Sequence, residues 1–233
     1  EQFMSVMETM QSKMEATLVP FAAKLNAQRH VAAVRDAFTL AFPLTLAGSI
    51  ITLINYAILS PDGFIAKILH LGDLIPNLAD FQAILSPVLN GTANIMSILI
   101  VFLTAYKLAG EKKGDQVLSG VTAIGTYFII YPNYVNVESV GNALPMNFMG
   151  AQGLFVALLV GLLVGEFLTA LQKNKRLAIK MPEAVPPAVA QSFNLLIPII
   201  IILMGSSFLN YLFSFLAESN MSSITQFRHR SHL

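Results

Sequence analysis

Apolar residues fall into long blocks separated by short polar stretches, and these blocks set the expected architecture. Residues 1–36 are the exception. Phe3, Met7, Met10, Met14, Leu18, Phe21 and Leu25 recur every three or four positions, with Glu8, Lys13, Glu15 and Lys24 between them. That spacing predicts an amphipathic helix, bent near Pro20, lying either in a membrane interface or against its own protein. From Ala37 to Pro61 there is no charge in 25 residues. About 20 apolar residues rising roughly 1.5 Å each cross a hydrocarbon core of about 30 Å, so this block predicts a first span. Pro43 inside it predicts a kink. Residues 62–80 read as a polar loop with Lys67 and three aspartates. Further spans are predicted over about 87–106, 117–131, 149–171 and 193–216, the segment 117–131 being short. The expected fold class is an all-α membrane protein with about five transmembrane helices preceded by an N-terminal amphipathic helix. The domain reading is an interfacial segment over 1–36, a five-span scaffold over 37–216 and a tail over 217–233.

Composition agrees with a bilayer as solvent. Of 233 residues, 55% are hydrophobic and 12% charged, and the mean hydropathy is +0.66. Soluble domains carry about 25% charged residues. A net charge of +1 argues against bulk nucleic-acid binding. The chain has no cysteine, so a disulfide framework is excluded. The opening EQFMSVMETM carries acids where a secretory signal would carry bases. A first residue Glu1 rather than Met reads as a trimmed or partial chain.

The stretch 173–198, KNKRLAIKMPEAVPPAVAQSFNLLIP, orients the rest. Four basic residues come first, then Pro182, Pro186 and Pro187, then an apolar run. This order reads as a cytoplasmic loop, a hinge and a helix that one of the prolines starts. With the N-terminus inside, cytoplasmic segments hold 11 of the 14 Lys and Arg residues and outer segments hold three, Lys67, Arg228 and Arg230. The bias predicts a cytoplasmic N-terminus, with the tail outside.

Candidate chemistry is sparse. Glu166 is the one charge inside a predicted span. It is either an intramembrane polar site or a shallow carboxylate paired with a base such as Arg176. Gly161 and Gly165 form a GxxxG, which serves helix packing within one protomer or between two. Asn94 and Gln152 are the other main polar groups in the spans. No HExxH, CxxC, Walker loop or GxSxG occurs, so no catalytic residue is assigned. His30, His70, His229 and His232 have no metal-ligand spacing between them, and neither a metal nor a cofactor is expected.

The segments PFAAKLNAQRHVAAVRDAF (20–38), FPLTLAGSI (42–50), GAQGLFVALLVGLLVGEF (150–167) and KMPEAVPPAVAQSFNLLIP (180–198) resemble Enzyme IIC, the membrane component of the bacterial phosphotransferase system. The lactose, cellobiose and diacetylchitobiose group is the most similar branch, over residues about 8–216, and the tail over 217–233 reads as outside the family. The resemblance implies a homodimeric permease in the bacterial cytoplasmic membrane. It imports a β-linked disaccharide, which a cytoplasmic EIIB partner, served by EIIA, phosphorylates on arrival. It further implies that this chain matches the N-terminal scaffold. The sugar-contacting His and Glu of the family belong to a C-terminal half beyond it, so no sugar-binding residue is carried over. A scaffold or dimerisation module without transport is the alternative. An unrelated transporter or intramembrane enzyme would need a cluster of mid-membrane ionisable groups that the spans lack.

Overall fold

A computed structural model describes residues 20, 23, 27–75, 77–131, 135–138, 141–179, 181–182 and 185–230, with the backbone alone for Ala188 and 217–230. Most of the expected amphipathic helix therefore lies outside the described residues. Its last part does not. Helix α1, Arg29–Ile54, begins before the expected boundary at 36/37 and runs through Pro43 without interruption. It ends in a π turn, Asn55–Leu59.

The segment expected as a polar loop, 62–80, instead holds the short helices α2 Phe64–Ile68 and α3 Leu71–Leu74 and the start of α4 Leu78–Leu85; α5 Pro87–Asn90 follows, at the start of the next expected span. The apolar block over 87–106 is not one uninterrupted helix. After α5 the chain turns through Gly91 and Thr92 and a 3-10 turn at Ala93–Ile95, and only then enters α6, Met96–Glu111. Asn90 and Gly91 favour a turn over a helix interior, and the Thr92 hydroxyl caps the break by donating to the Val88 carbonyl at 2.8 Å. Helix α7, Gln116–Ile129, starts at a true N-cap, where the Asp115 carboxylate accepts from the Leu118 amide at 2.9 Å. A small antiparallel ribbon follows, β1 Val135–Val137 paired with β2 Gly141–Ala143.

Helix α8 is Leu154–Gln172. The proline-rich stretch does start a helix: Pro187 is the first residue of α9, Pro187–Asn194. Helix α10, Leu196–Arg230, comes next. The break between them has a cause. Pro198 has no N–H to donate to the Asn194 carbonyl four residues back, so the ladder is interrupted there.

Four helical runs are long and apolar enough to cross a membrane: Arg29–Ile68, Leu78–Glu111, Ala151–Gln172 and Leu196–Leu216. Helix α7 is apolar but shorter. Its 14 residues span roughly 21 Å. The chain is thus the helical membrane protein its patterning predicts, with one small β-ribbon added. Large apolar side chains face outward, with Phe155 72% and Met204 68% exposed. Water would penalise such a surface, whereas lipid solvates it.

The core lies where α6, α7 and α8 meet. Val101 and Ala105 of α6, Ala123 and Tyr127 of α7, and Ala157, Val160 and Val164 of α8 are all buried in one cluster. Gly161 and Gly165 bring α6 and α8 together. A Cβ at Gly161 would sit 2.8 Å from Thr104 Cβ and 2.9 Å from the Val101 carbonyl oxygen. A Cβ at Gly165 would sit 3.2 Å from the Ala105 carbonyl oxygen. The GxxxG face is therefore filled by the protein's own α6. Any self-association has to use another surface.

Overpacking a closed seam costs about 1–3 kcal/mol. Gly161→Leu should therefore lower the thermal unfolding midpoint in mild detergent clearly. Gly205→Ala should not lower it, because a Cβ at Gly205 meets nothing within 4 Å and alanine favours the helix. Equal midpoints for the two variants would contradict the seam.

Candidate functional site: polar groups at the two ends of a helix pair

Helices α6 and α8 run in the same direction. At their first ends the Ser97 hydroxyl donates to the Gly150 carbonyl at 2.5 Å, and the Ser97 amide donates to the Met149 carbonyl at 2.8 Å. At their last ends the Lys112 ammonium pairs with Glu166. Each end carries its own polar chemistry.

The charged end holds Glu166. Its partners are Lys112 and His30, whose Nε2 lies 3.3 Å from Glu166 Oε2. The base expected from the sequence, Arg176, is not the partner. Arg176 lies beyond the end of α8, whereas Lys112 stands at the same height on the parallel helix. His30 comes from the first turn of α1, so one carboxylate joins three helices. Lys112 is the most enclosed of the three, with its side chain 15% exposed. Beside this cluster, Asp115 ties the α6–α7 turn to two further elements. Its amide donates to Gln172 Oε1 at 3.0 Å, and its Oδ2 accepts from Gln191 Nε2 of α9 at 2.6 Å. Gly114 allows this approach, since a Cβ there would sit 2.6 Å from Thr169 Oγ1. No group of three or more His, Cys, Asp or Glu side chains able to hold a metal occurs among the described residues.

At the other end the polar side chains are carboxamides. Asn94 and Gln152, far apart in sequence, line a single cavity of about 480 Å³ with Ala93, Met146, Asn147, Gly150 and Ala151. The break before α6 places Asn94, and the 3-10 turn Ala151–Gly153 before α8 places Gln152. The walls are held from several sides. Gly150 lies against the backbone of Ala93 and Asn94, where a Cβ would meet the Ala93 carbonyl oxygen at 3.1 Å. The Tyr127 hydroxyl donates to the Phe148 carbonyl at 2.6 Å, and the Tyr131 hydroxyl donates to the Pro145 carbonyl.

Glu166 is not part of this cavity. From Gln152 to Glu166 is 14 residues along the helix, or roughly 21 Å. A second groove of about 490 Å³ runs between α7, α8 and α10. It is lined mainly by apolar side chains such as Leu163, Phe167, Ile201, Leu209 and Phe213, which offer a polyhydroxylated ligand few hydrogen bonds.

Sequence reasoning missed three features. Asn147 looked like ordinary loop. Lys112 looked like one of several bases after a span. Asn55 is fully buried in the π turn, with its Nδ2 3.3 Å from Ser86 Oγ. A buried amide in a membrane helix is a signal that hydropathy averages conceal.

A family profile described as "Phosphotransferase system, EIIC" matches residues 35–231. The chain belongs to the EIIC family of the phosphotransferase system. It is 34% identical over 216 residues to the oligo-beta-mannoside-specific EIIC component of Bacillus subtilis (strain 168), covering 91% of this chain and 46% of that protein. It is 30% identical to the cellobiose-specific EIIC component of Geobacillus stearothermophilus, over 79% of this chain and 41% of that protein. Among solved structures it is similar to the transporter ChbC, the IIC component from the N,N'-diacetylchitobiose-specific phosphotransferase system. That likeness has a TM-score of 0.72 at 31% identity and covers 86% of this chain and 46% of ChbC. These relatives place the EIIC chain in the lactose/cellobiose group, and it spans less than half the length of each.

The EIIC chain's charged end gives a direct test. In a double-mutant cycle, Lys112→Met and Glu166→Gln should each lower thermal stability. The double variant should lose less than the sum, with a coupling of about 0.5–1 kcal/mol. Strict additivity would show that the pair contributes nothing.

Proposed function

We propose that this EIIC chain is the scaffold part of a phosphotransferase-system permease that imports a β-linked disaccharide of the cellobiose type across the cytoplasmic membrane of a bacterium. EIIB, resupplied by EIIA, is the phosphorylating partner. The observation that carries the reading is the likeness of the helical arrangement to ChbC, with 31% identity over 86% of the chain. The chemistry of the two ends is consistent with it. A neutral sugar is matched by the carboxamides at one end. A sugar phosphate, as an anion, is matched by basic groups such as Lys112, Lys173, Lys175 and Arg176 at the other.

The charged end is the cytoplasmic one in this reading, and the N-terminus lies on the same side. The charge count of 11 to three supports that orientation. A competing reading, a scaffold that does not transport by itself, is favoured by one observation. Among the described residues, the larger of the two grooves is apolar and the polar one lies at the end of the helices rather than between them.

Uptake separates the two. Bacteria lacking their own β-glucoside uptake, supplied with this chain, EIIA and EIIB, should accumulate cellobiose phosphate. Normal membrane insertion with no accumulation would favour the non-transporting scaffold. The orientation has its own check, since the chain has no native cysteine. A thiol introduced as Asn174→Cys should react with an impermeant maleimide only after the cells are opened. Reaction in intact cells would reverse the topology.

A further inference from the structure

A polar cavity lies where α6 and α8 begin. Three carboxamides, Asn94, Asn147 and Gln152, line it. Only Asn94 is engaged, donating through Nδ2 to Asn90 Oδ1 at 2.8 Å. Neither Asn147 nor Gln152 uses its side chain on another described residue. Carboxamides both donate and accept, as sugar hydroxyls do, so each unpaired amide can meet a hydroxyl in either sense. Among the described residues, no ionisable side chain lines the cavity. An uncharged wall does not favour an anion over a neutral ligand.

The volume of about 480 Å³ lies within the range of small-ligand sites, roughly 300–1,000 Å³. The walls are also pre-formed. Ser97 ties the start of α6 to Met149 and Gly150, while Tyr127 and Tyr131 hold the segment before Gly150. A site whose walls are already fixed avoids the entropy of ordering them on binding.

We propose that this cavity is a docking subsite for a neutral, polyhydroxylated sugar, with Asn147 and Gln152 as its hydrogen-bonding groups and Asn94 as the supporting wall. The proposal rests on the permease reading for its ligand class. It adds a contact made by this chain's own residues, at the end opposite Lys112 and Glu166. From Asn94 to Lys112 is 18 residues, or roughly 27 Å along the helix. The subsite is therefore distant from the charged groups.

The test uses the full chain in lipid nanodiscs with cellobiose as probe, read by saturation-transfer NMR, which detects millimolar contacts. Saturation should pass to the sugar. Asn147→Ala and Gln152→Ala should each raise the half-saturating concentration about two- to tenfold, as expected for one lost hydrogen bond. Gln191→Ala, at the other end, should leave it unchanged. Both cavity residues are exposed, so the variants should insert and melt like the parent. No transfer to cellobiose from the folded chain would overturn the proposal, and so would cavity variants that bind like the parent. The uptake assay run beside it keeps the two readings apart. Uptake with an unchanged half-saturation in both cavity variants leaves the permease standing and removes the subsite. Sugar contact that is weakened by the variants, in a chain that never supports uptake, leaves the subsite standing and removes the permease.

Discussion

Everything in this protein depends on how closely α6 and α8 approach each other. In lipid, apolar side chains gain little by leaving their solvent, so helices associate through packing and hydrogen bonds. Gly161 and Gly165 supply the packing, because without a Cβ they let the backbones of Val101 and Ala105 come near. Ala157 and Ala105, both fully buried, extend the same smooth surface. Helix α7 then closes the seam with its own small residues, Ser119, Thr122 and Ala123, on the inner face. The outer helices have less enclosed surface. In α10 only 11% of the apolar window is buried, and its exposed face is left to lipid.

The same parallel pair produces the separation of chemistry between the two ends. Because α6 and α8 run in the same direction, their starts meet at one end and their finishes at the other. The starts bring Ser97 to Gly150 and hold Asn94 near Gln152. The finishes bring Lys112 to Glu166 and admit His30 from α1. A carboxylate on an apolar helix is costly in lipid when unpaired, and the facing Lys112 ammonium offsets that cost. Two consequences follow for this EIIC chain. The charged cluster fixes where α1 meets the core, and the cavity at the opposite end is lined, among the described residues, by uncharged side chains.

Much of this was legible in the residues. Long uncharged blocks are sufficient to mark helices, because lipid leaves the backbone no other partner than itself. The family resemblance rested on segments such as MPEAVPPAVAQSF, and the helix start at Pro187 follows from the fixed φ of proline. The breaks were less legible. An average over 87–106 hides the turn at Asn90 and Gly91, since its flanks are apolar. The Glu166 partner was missed for a geometric reason. Sequence distance favours Arg176, but helix alignment favours Lys112, and alignment depends on which helices pack in parallel. The cavity was missed because it joins Asn94 and Gln152 across more than fifty positions, and Asn147 gains meaning only beside them. The amphipathic pattern over most of residues 1–36 falls outside the described residues.

The glycine face of α8 is closed by α6 of the same chain. Oxidative cross-linking tests it most directly, because the chain has no native cysteine. A single thiol introduced as Ala157→Cys sits on that face, one turn before Gly161, and is fully buried against the core. Oxidised in native membranes with a copper catalyst, this variant should stay monomeric on a non-reducing gel. A disulfide-linked dimer formed in high yield would mean that the face meets a second chain, and the packing described here would be wrong.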